Sequence, residues 1–289
     1  MGGRTSSLPG RTGAVLLVFV CALAAASAAP DTTAFNVLQR AGITGTHADY
    51  HGYDCCTFTF EGREAKIVVP GHVAPGRPWV WRARFWGHEP QAELALLDRG
   101  FHLVYCDVAE LFGNAEAIGI WERFSTRLVS AGLSPRAALM GFSRGGLYVY
   151  LYALAFPDRV SCVYADAPSL DFKSWPGYKD AGKGKHPLWE LFKQEFGLRT
   201  DEEAIAWKGN PLDRAEEIAA AGYPMLHICG DADMTVPISE NTDPFEKKVL
   251  AAGGRITVIR KPGVGHHPHS LIDPAPIVGF ILKATAERP

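Results

Sequence analysis

Apolar and polar residues alternate in two rhythms along this chain. Short runs rich in β-branched and aromatic residues give way to longer amphipathic stretches. From about Cys55, Thr57 to Phe60 and Ala65 to Val69 read as two strands joined by the turn Glu61-Gly62-Arg63. Trp79 to Arg84 reads as a third strand, and Pro90 to Asp98 as a helix closed by Arg99-Gly100. Phe101 to Val108 has strand length. Ile118 to Ser130 places Trp121, Phe124 and Leu128 at helical spacing ahead of Gly132. Arg136 to Phe142 is a buried strand, and Gly145 to Phe156 a helix stopped by Pro157. Val160 to Ala165, Met225 to Cys229 and Ile256 to Ile259 are further strands, with helices at Pro244 to Ala252 and Ala275 to Ala286. Strands separated by helices of ten to fifteen residues imply βαβ units and a mostly parallel sheet, here with an antiparallel opening hairpin. Residues 169–222 break the rhythm after the sixth strand. They read as a small cap-like insertion with a Gly/Lys-rich loop from Gly177 to His186.

The first residues follow a different pattern. Arg4 and Arg11 precede a nearly unbroken apolar run from Gly13 to Ala26, and Ala26-Ser27-Ala28 has the small-x-small form of a cleavage site. Residues 1–28 therefore read as a secretory signal peptide. The run is short for a membrane span, which disfavours an uncleaved anchor. A lipoprotein cut before Cys21 is disfavoured by the bulky Val20. Cleavage after Ala28 leaves 261 residues, enough for one α/β domain over residues 29–289, expected to be secreted or periplasmic with no membrane attachment.

Charge and cysteine content narrow the picture only a little. The mature chain carries 27 basic and 31 acidic residues, a mild negative balance that argues against a nucleic-acid partner. Cys106, Cys162 and Cys229 lie in apolar strand-like runs and read as buried thiols. Cys55 and Cys56 are open to disulfide formation after export, and the odd count leaves at least one thiol unpaired or joined to another chain. No cysteine spacing suits a metal. Composition does not reveal the oligomeric state.

The candidate chemistry centres on Gly141-Phe142-Ser143-Arg144-Gly145. A serine hydroxyl is a poor nucleophile unless a base adjoins it and donors await the oxyanion. A sharp strand-to-helix turn exposes the hydroxyl above the sheet and places the next backbone N–H at the helix start. Flanking glycines suit so tight a turn. Ala137 to Met140 before the motif and Leu147 to Leu151 after it supply the strand and the helix. The acid is expected in Gly230-Asp231-Ala232-Asp233-Met234-Thr235-Val236-Pro237, at the C-terminal end of a strand, where ligand groups of parallel sheets collect. Asp233 is the choice, with Asp231 and Asp166 as competitors. The base is expected in Gly263-Val264-Gly265-His266-His267-Pro268-His269. His266 is the choice, with His267 as competitor. A metal site in this histidine cluster is set aside, because adjacent imidazoles point apart on extended backbone and no Cys or Glu lies close in sequence.

The order Ser143, Asp233, His266 on strands in this succession resembles the α/β-hydrolase fold, over roughly Cys55 to Arg288. More narrowly, Pro78-Trp79-Val80-Trp81-Arg82, the serine turn and Gly265-His266-His267-Pro268-His269 resemble secreted bacterial carbohydrate esterases and prolyl-oligopeptidase-like hydrolases. The resemblance implies a cofactor-free serine hydrolase with a Ser143–His266–Asp233 triad. It also implies an oxyanion hole built from the Arg144 N–H and a second donor. Related lipases and esterases carry a His-Gly or Gly-Gly pair after the third strand. Here that stretch reads Arg82-Ala83-Arg84-Phe85-Trp86-Gly87, so the second donor is expected near Arg84 or Phe85.

Arg144 directly follows the nucleophile, as in some glucuronoyl esterases. It suits either a substrate carboxylate or a salt bridge at the helix start. Trp79, Trp81, Trp86 and Trp175 are candidates for a sugar-binding rim, and His267 for a further substrate contact. Lys173, Lys179, Lys183 and Lys185 are candidates for attracting an anionic substrate. The leading function is hydrolysis of a carboxylic ester, an acetyl or methyl ester of a carbohydrate. A prolyl-oligopeptidase-type peptidase is the alternative, although the sequence shows no long N-terminal propeller segment. A non-catalytic binding domain on the same scaffold is the reading from another class.

Overall fold

The structure is a computed structural model that describes residues 1–3, 35–177 and 186–288. The chain divides into two compact units, Met1–Ala34 and Phe35–Pro289, and the sheet and its helices belong to the second. Most of the expected signal peptide, together with Lys179, Lys183 and Lys185, lies outside the described residues.

Among the described residues, nine strands form one sheet: β1 (Thr46–Tyr50), β2 (Tyr53–Phe60), β3 (Arg63–Val69), β4 (Trp79–Arg82), β5 (His102–Cys106), β6 (Ala137–Phe142), β7 (Val160–Asp166), β8 (Met225–Gly230) and β9 (Ile256–Lys261). Their order is β1-β2-β3-β5-β4-β6-β7-β8-β9. The β1/β2, β2/β3 and β3/β5 pairs are antiparallel, and every pair from β5 to β9 is parallel. The expected α/β class therefore stands, with a longer antiparallel edge. Strand β1, Thr-His-Ala-Asp-Tyr, is almost wholly exposed and has no apolar alternation. Nothing local marks it as a strand; pairing with β2 makes it one.

Helices α1 (Val37–Arg40), α2 (Gln91–Leu97), α3 (Ala115–Ser130), α4 (Gly145–Ala155), α5 (Leu188–Glu195), α6 (Asp201–Ala206), α7 (Ala215–Ala220), α8 (Thr242–Ala251) and α9 (Ala275–Glu287), with single 3-10 turns at Pro157–Arg159 and Ile238–Glu240, complete the described elements. Helix α3 begins three residues before the apolar pattern, because the Asn114 side chain accepts the Ala117 N–H and caps it. No helix among the described residues is long and apolar enough to cross a membrane.

Two hydrophobic clusters sandwich the sheet. One contains Trp121, Tyr148, Ile218 and Phe245, from α3, α4, α7 and α8. The other contains Leu96, Leu97, Ile277 and Ile281, from α2 and α9. Alternation along β4 sends Trp79 and Trp81 into the first and Val80 into the second. Both tryptophans are thus core residues, at 1% and 0% exposure, and the expectation that they line a sugar-binding rim is corrected. Their rings pack against one another and Trp81 packs on Trp121.

The segment between β7 and β8 holds α5, α6 and α7. Its own packing comes from Phe172, Phe192, Phe196 and Trp207, with the Phe172 and Phe192 rings stacked at 3.9 Å. Lys173 is paired inside this segment with Asp171 at 3.0 Å, so it is not a free cation for substrate. All five described cysteines are free and buried, Cys55 and Cys56 included.

Candidate active site

Strand β4 lies between β5 and β6, so the connections leaving β4 and β5 travel to opposite sides. Ligands of open α/β sheets bind outside the strand C-termini at such a reversal. The loop after β6 carries Ser143 there, and the loop after β4 carries Arg84 and Phe85.

Ser143 adopts φ 51°, the left-handed region that non-glycine residues avoid. Its surroundings hold that strain. The Ser143 N–H donates to Asp166 O at 2.8 Å, and the Ser143 carbonyl accepts the N–H groups of Gly146 and Ser169, each at 3.0 Å. The turn needs glycine at position 141, where a Cβ would stand 2.6 Å from the Gly145 carbonyl oxygen. At Gly145 a Cβ would meet nothing closer than 3.7 Å. The second crowded position is Gly146, 2.5 Å from the Pro168 Cβ.

His266 Nε2 lies 2.9 Å from Ser143 Oγ, and His266 Nδ1 lies 2.7 Å from Asp233 Oδ2. The second Asp233 oxygen accepts the N–H groups of Thr235 and Val236 at 2.8 and 2.9 Å. Burial works against the Asp233 charge, but the His266 hydrogen bond and the two backbone donors outweigh it, leaving the carboxyl below its ordinary value. An ionised Asp233 makes Nδ1 the protonated nitrogen of His266. Nε2 is then free to accept the serine proton.

The competing residues have other partners. Asp231 accepts the Gly263 N–H and ties the turn after β9 to the end of β8. Asp166 is fully buried and accepts His269 Nδ1, the Ser270 N–H and the Tyr164 hydroxyl, each at 2.8 Å. Two Asp–His pairs therefore stand side by side, and only Asp233–His266 reaches the serine hydroxyl. The exposed His267 turns towards His269 and His88, with ring centroids 4.7 and 5.8 Å away. Burial and the adjoining His269 lower the pKa of both His88 and His267.

Backbone N–H groups of Arg144 and Phe85 donate to no acceptor among the described residues. Phe85 has φ 54°, and a Cβ on Gly145 would lie 4.0 Å from the Arg84 nitrogen, so the β4 loop adjoins the serine turn. One buried side chain organises that loop. Arg82 donates to the carbonyls of Arg84, Phe85 and His88 at 2.7, 3.1 and 2.7 Å, pairs with Glu93 at 2.7 Å, and covers the Phe142 ring at 3.7 Å. Sequence reasoning missed this role. An arginine ending a buried strand, with a glutamate eleven residues on, was the available sign.

The Arg144 guanidinium lies 3.4 Å from Glu110, shares that carboxylate with Arg84, and sits over the rings of Phe85 and Trp175. Burial and the neighbouring Arg84 charge lower its pKa against the opposing pull of Glu110. Trp175 is thus beside Arg144, although only 8% exposed. Trp86 instead packs against Tyr50 and Tyr105.

A model of the prolyl oligopeptidase family matches residues 129–284, more than half of the chain and a span holding Ser143, Asp233 and His266. The chain belongs to the prolyl oligopeptidase family. It has the α/β-hydrolase fold. No curated protein matches it. Among solved structures, this prolyl oligopeptidase-family domain is similar to the dipeptidyl peptidase 4 of Porphyromonas gingivalis, with 16% identity and a TM-score of 0.57; 82% of this chain aligns with 35% of that one. It is also similar to the S-formylglutathione hydrolase of Agrobacterium tumefaciens, with 17% identity, a TM-score of 0.58, and coverage of 84% and 98% of the two chains. The acylaminoacyl peptidase of Pyrococcus horikoshii matches at 16% identity and TM-score 0.55, over 83% of this chain and 43% of that one. The chain spans only about a third of the dipeptidyl peptidase and under half of the acylaminoacyl peptidase. At these identities the structural likenesses speak for the fold alone.

Proposed function

We propose that this prolyl oligopeptidase-family protein hydrolyses a carboxylic ester, an acetyl or methyl ester of a carbohydrate that carries a negative charge. The observation that carries this reading is the Arg84–Arg144 pair beside the nucleophile turn: both guanidiniums meet the Glu110 carboxylate, and Asp107 reaches Arg84 at 3.8 Å. Arg144 has only the half-exposed, shared Glu110 carboxylate as an ion-pair partner among the described residues, which favours an incoming anion such as the carboxyl of an acidic sugar. The exposed ring of Phe85, beside both guanidiniums, offers an apolar face for a sugar.

In this reading His266 takes the Ser143 hydroxyl proton as Oγ attacks the ester carbonyl. The Arg144 N–H and one from Arg84 or Phe85 hold the oxyanion. The alcohol leaves with the proton from His266. Water, deprotonated by the same imidazole, then releases the acid from the acyl-enzyme. Asp233 keeps the tautomer. Export follows from the signal-like pattern of residues 1–28 and is part of the proposal.

Peptide-bond cleavage is the second reading, favoured by the family match. A panel of methyl uronates, acetylated sugars and proline p-nitroanilides separates the two. Faster turnover of proline anilides than of any ester would overturn the ester reading. A fluorophosphonate should label Ser143 and leave Ser143→Ala unlabelled. Labelling of both alike would reject the triad, and inertness to every probe would favour a binding domain.

A further inference from the structure

His267 and His269 lie two positions apart on the loop after β9, and the fold brings His88 to them from the loop after β4. One nitrogen from each of the three imidazoles lies within 4.8 Å of the other two. In a tetrahedral zinc site with bonds of about 2.0–2.1 Å, ligand nitrogens stand roughly 3.4 Å apart. Small rotations of two exposed rings, His88 and His267, would close that difference.

The third imidazole is already oriented. His269 is 4% exposed, and its Nδ1 is engaged by the buried Asp166 carboxylate at 2.8 Å. Its Nε2 is therefore the nitrogen left for the cluster. A carboxylate behind a ligand imidazole fixes its tautomer and strengthens it as a donor. Asp166 is itself held by the Ser270 N–H and the Tyr164 hydroxyl, so the arrangement is rigid from the inside outwards. The facing charges are mixed: Asp166, Glu89 and Asp233 attract a cation, and Arg82 opposes it.

We infer that His88, His267 and His269 bind one divalent transition-metal ion of the zinc type, with Asp166 as the carboxylate behind His269. Three neutral imidazoles select such an ion over calcium or magnesium, which take oxygen ligands. Exposure of His88 and His267 leaves a fourth position to water. The ion would join the loop carrying His266 to the loop carrying Phe85, two segments that meet at the His88–His267 and His88–His269 ring contacts. The imidazole of His266, 5.0 Å from His267 between ring centroids, stays with Asp233 and Ser143.

Zinc titration of the chelator-treated full chain by calorimetry, with metal counted per chain after gel filtration, tests the assignment. One ion per chain with a micromolar or tighter Kd is expected. His88→Gln and His267→Gln should each weaken binding at least tenfold, and the metal-free His88→Gln protein should melt where the metal-free parent does. Cobalt(II) should give a tetrahedral absorption spectrum in the parent that is lost in both variants. Absence of one-to-one binding at about 100 µM zinc, or parental affinity in His88→Gln, overturns the site. Binding that is lost in His266→Gln but kept in His88→Gln would place the ion on the candidate triad and also refute it.

Discussion

Replacing Arg82 by Met separates two jobs that one side chain performs. The guanidinium balances the buried Glu93 carboxylate, and it pins three carbonyls of the loop between Arg84 and His88. Both pair members are essentially unexposed. Breaking such a pair costs about 3–5 kcal/mol, because the remaining charge is stranded. At roughly 2–4 °C per kcal/mol for a chain of this size, the melting point should fall by roughly 10 °C. Burial already raises the Glu93 pKa against the pull of Arg82. In the variant Glu93 is raised further and takes up a proton on folding. A group with a raised folded pKa contributes stability below its unfolded value and loses it as pH rises. The deficit of Arg82→Met should therefore shrink towards pH 5 and widen towards pH 8. Adding Glu93→Leu removes the stranded charge, so stability should largely return and the pH dependence should vanish. Activity should not return. The loop carbonyls turn to water in both variants, and the donor near Phe85 loses its position, which costs about 10²–10³-fold when an oxyanion donor is lost outright. Calorimetry beside kcat on a simple acetyl ester measures both. Recovery of kcat together with the melting point in the double variant would refute the positioning role of Arg82.

Other expectations concern the neighbouring groups. Asp233→Asn should lower kcat by about 10³–10⁴-fold with little change in KM, whereas Asp166→Asn should lower the melting point and leave fluorophosphonate labelling intact. Because the Asp233 pKa is held down in the folded state, its stabilisation is present above the ordinary carboxylate value and lost as pH falls through the lowered one. Acid-unfolding curves of Asp233→Asn should lack that part of the decline. Arg144→Ala should raise KM for an anionic ester several-fold and leave a neutral acetyl ester unaffected; equal effects on both would reject charge recognition. Gly146→Ala should destabilise by about 1–3 kcal/mol through overpacking against Pro168, and Gly145→Ala should melt close to the parent.

Strand–helix alternation, the serine turn and the order Ser143, Asp233, His266 were legible because each rests on local pattern. A buried strand needs an unbroken apolar run, a buried helix needs length, and a strained elbow needs small neighbours. Where local pattern was silent, reading failed. Exposed β1 carries no apolar alternation, and its identity as a strand comes from β2. Trp79 and Trp81 could belong to a rim or to a core by type alone, and their alternation on a strand covered on both faces decides for the core. The need for glycine at 146 rather than 145 depends on Pro168, which only the fold brings close.

The histidine loop marks the boundary between the two kinds of information. That a strand-end loop rich in imidazoles follows a strand-end aspartate and a nucleophile turn is written in the local pattern, because these signals are local and their order along the chain is fixed. Which imidazole meets which carboxylate is set by the packing of distant segments. His266 turns to Asp233 and Ser143, His269 turns to the buried Asp166, and His267 is left facing His88 from a loop far earlier in the chain. Those pairings depend on distances across the sheet's C-terminal edge, set by the lateral order of β4, β6, β7, β8 and β9. Lateral order is a property of packing between segments far apart in the chain, and no periodicity within any one of them records it.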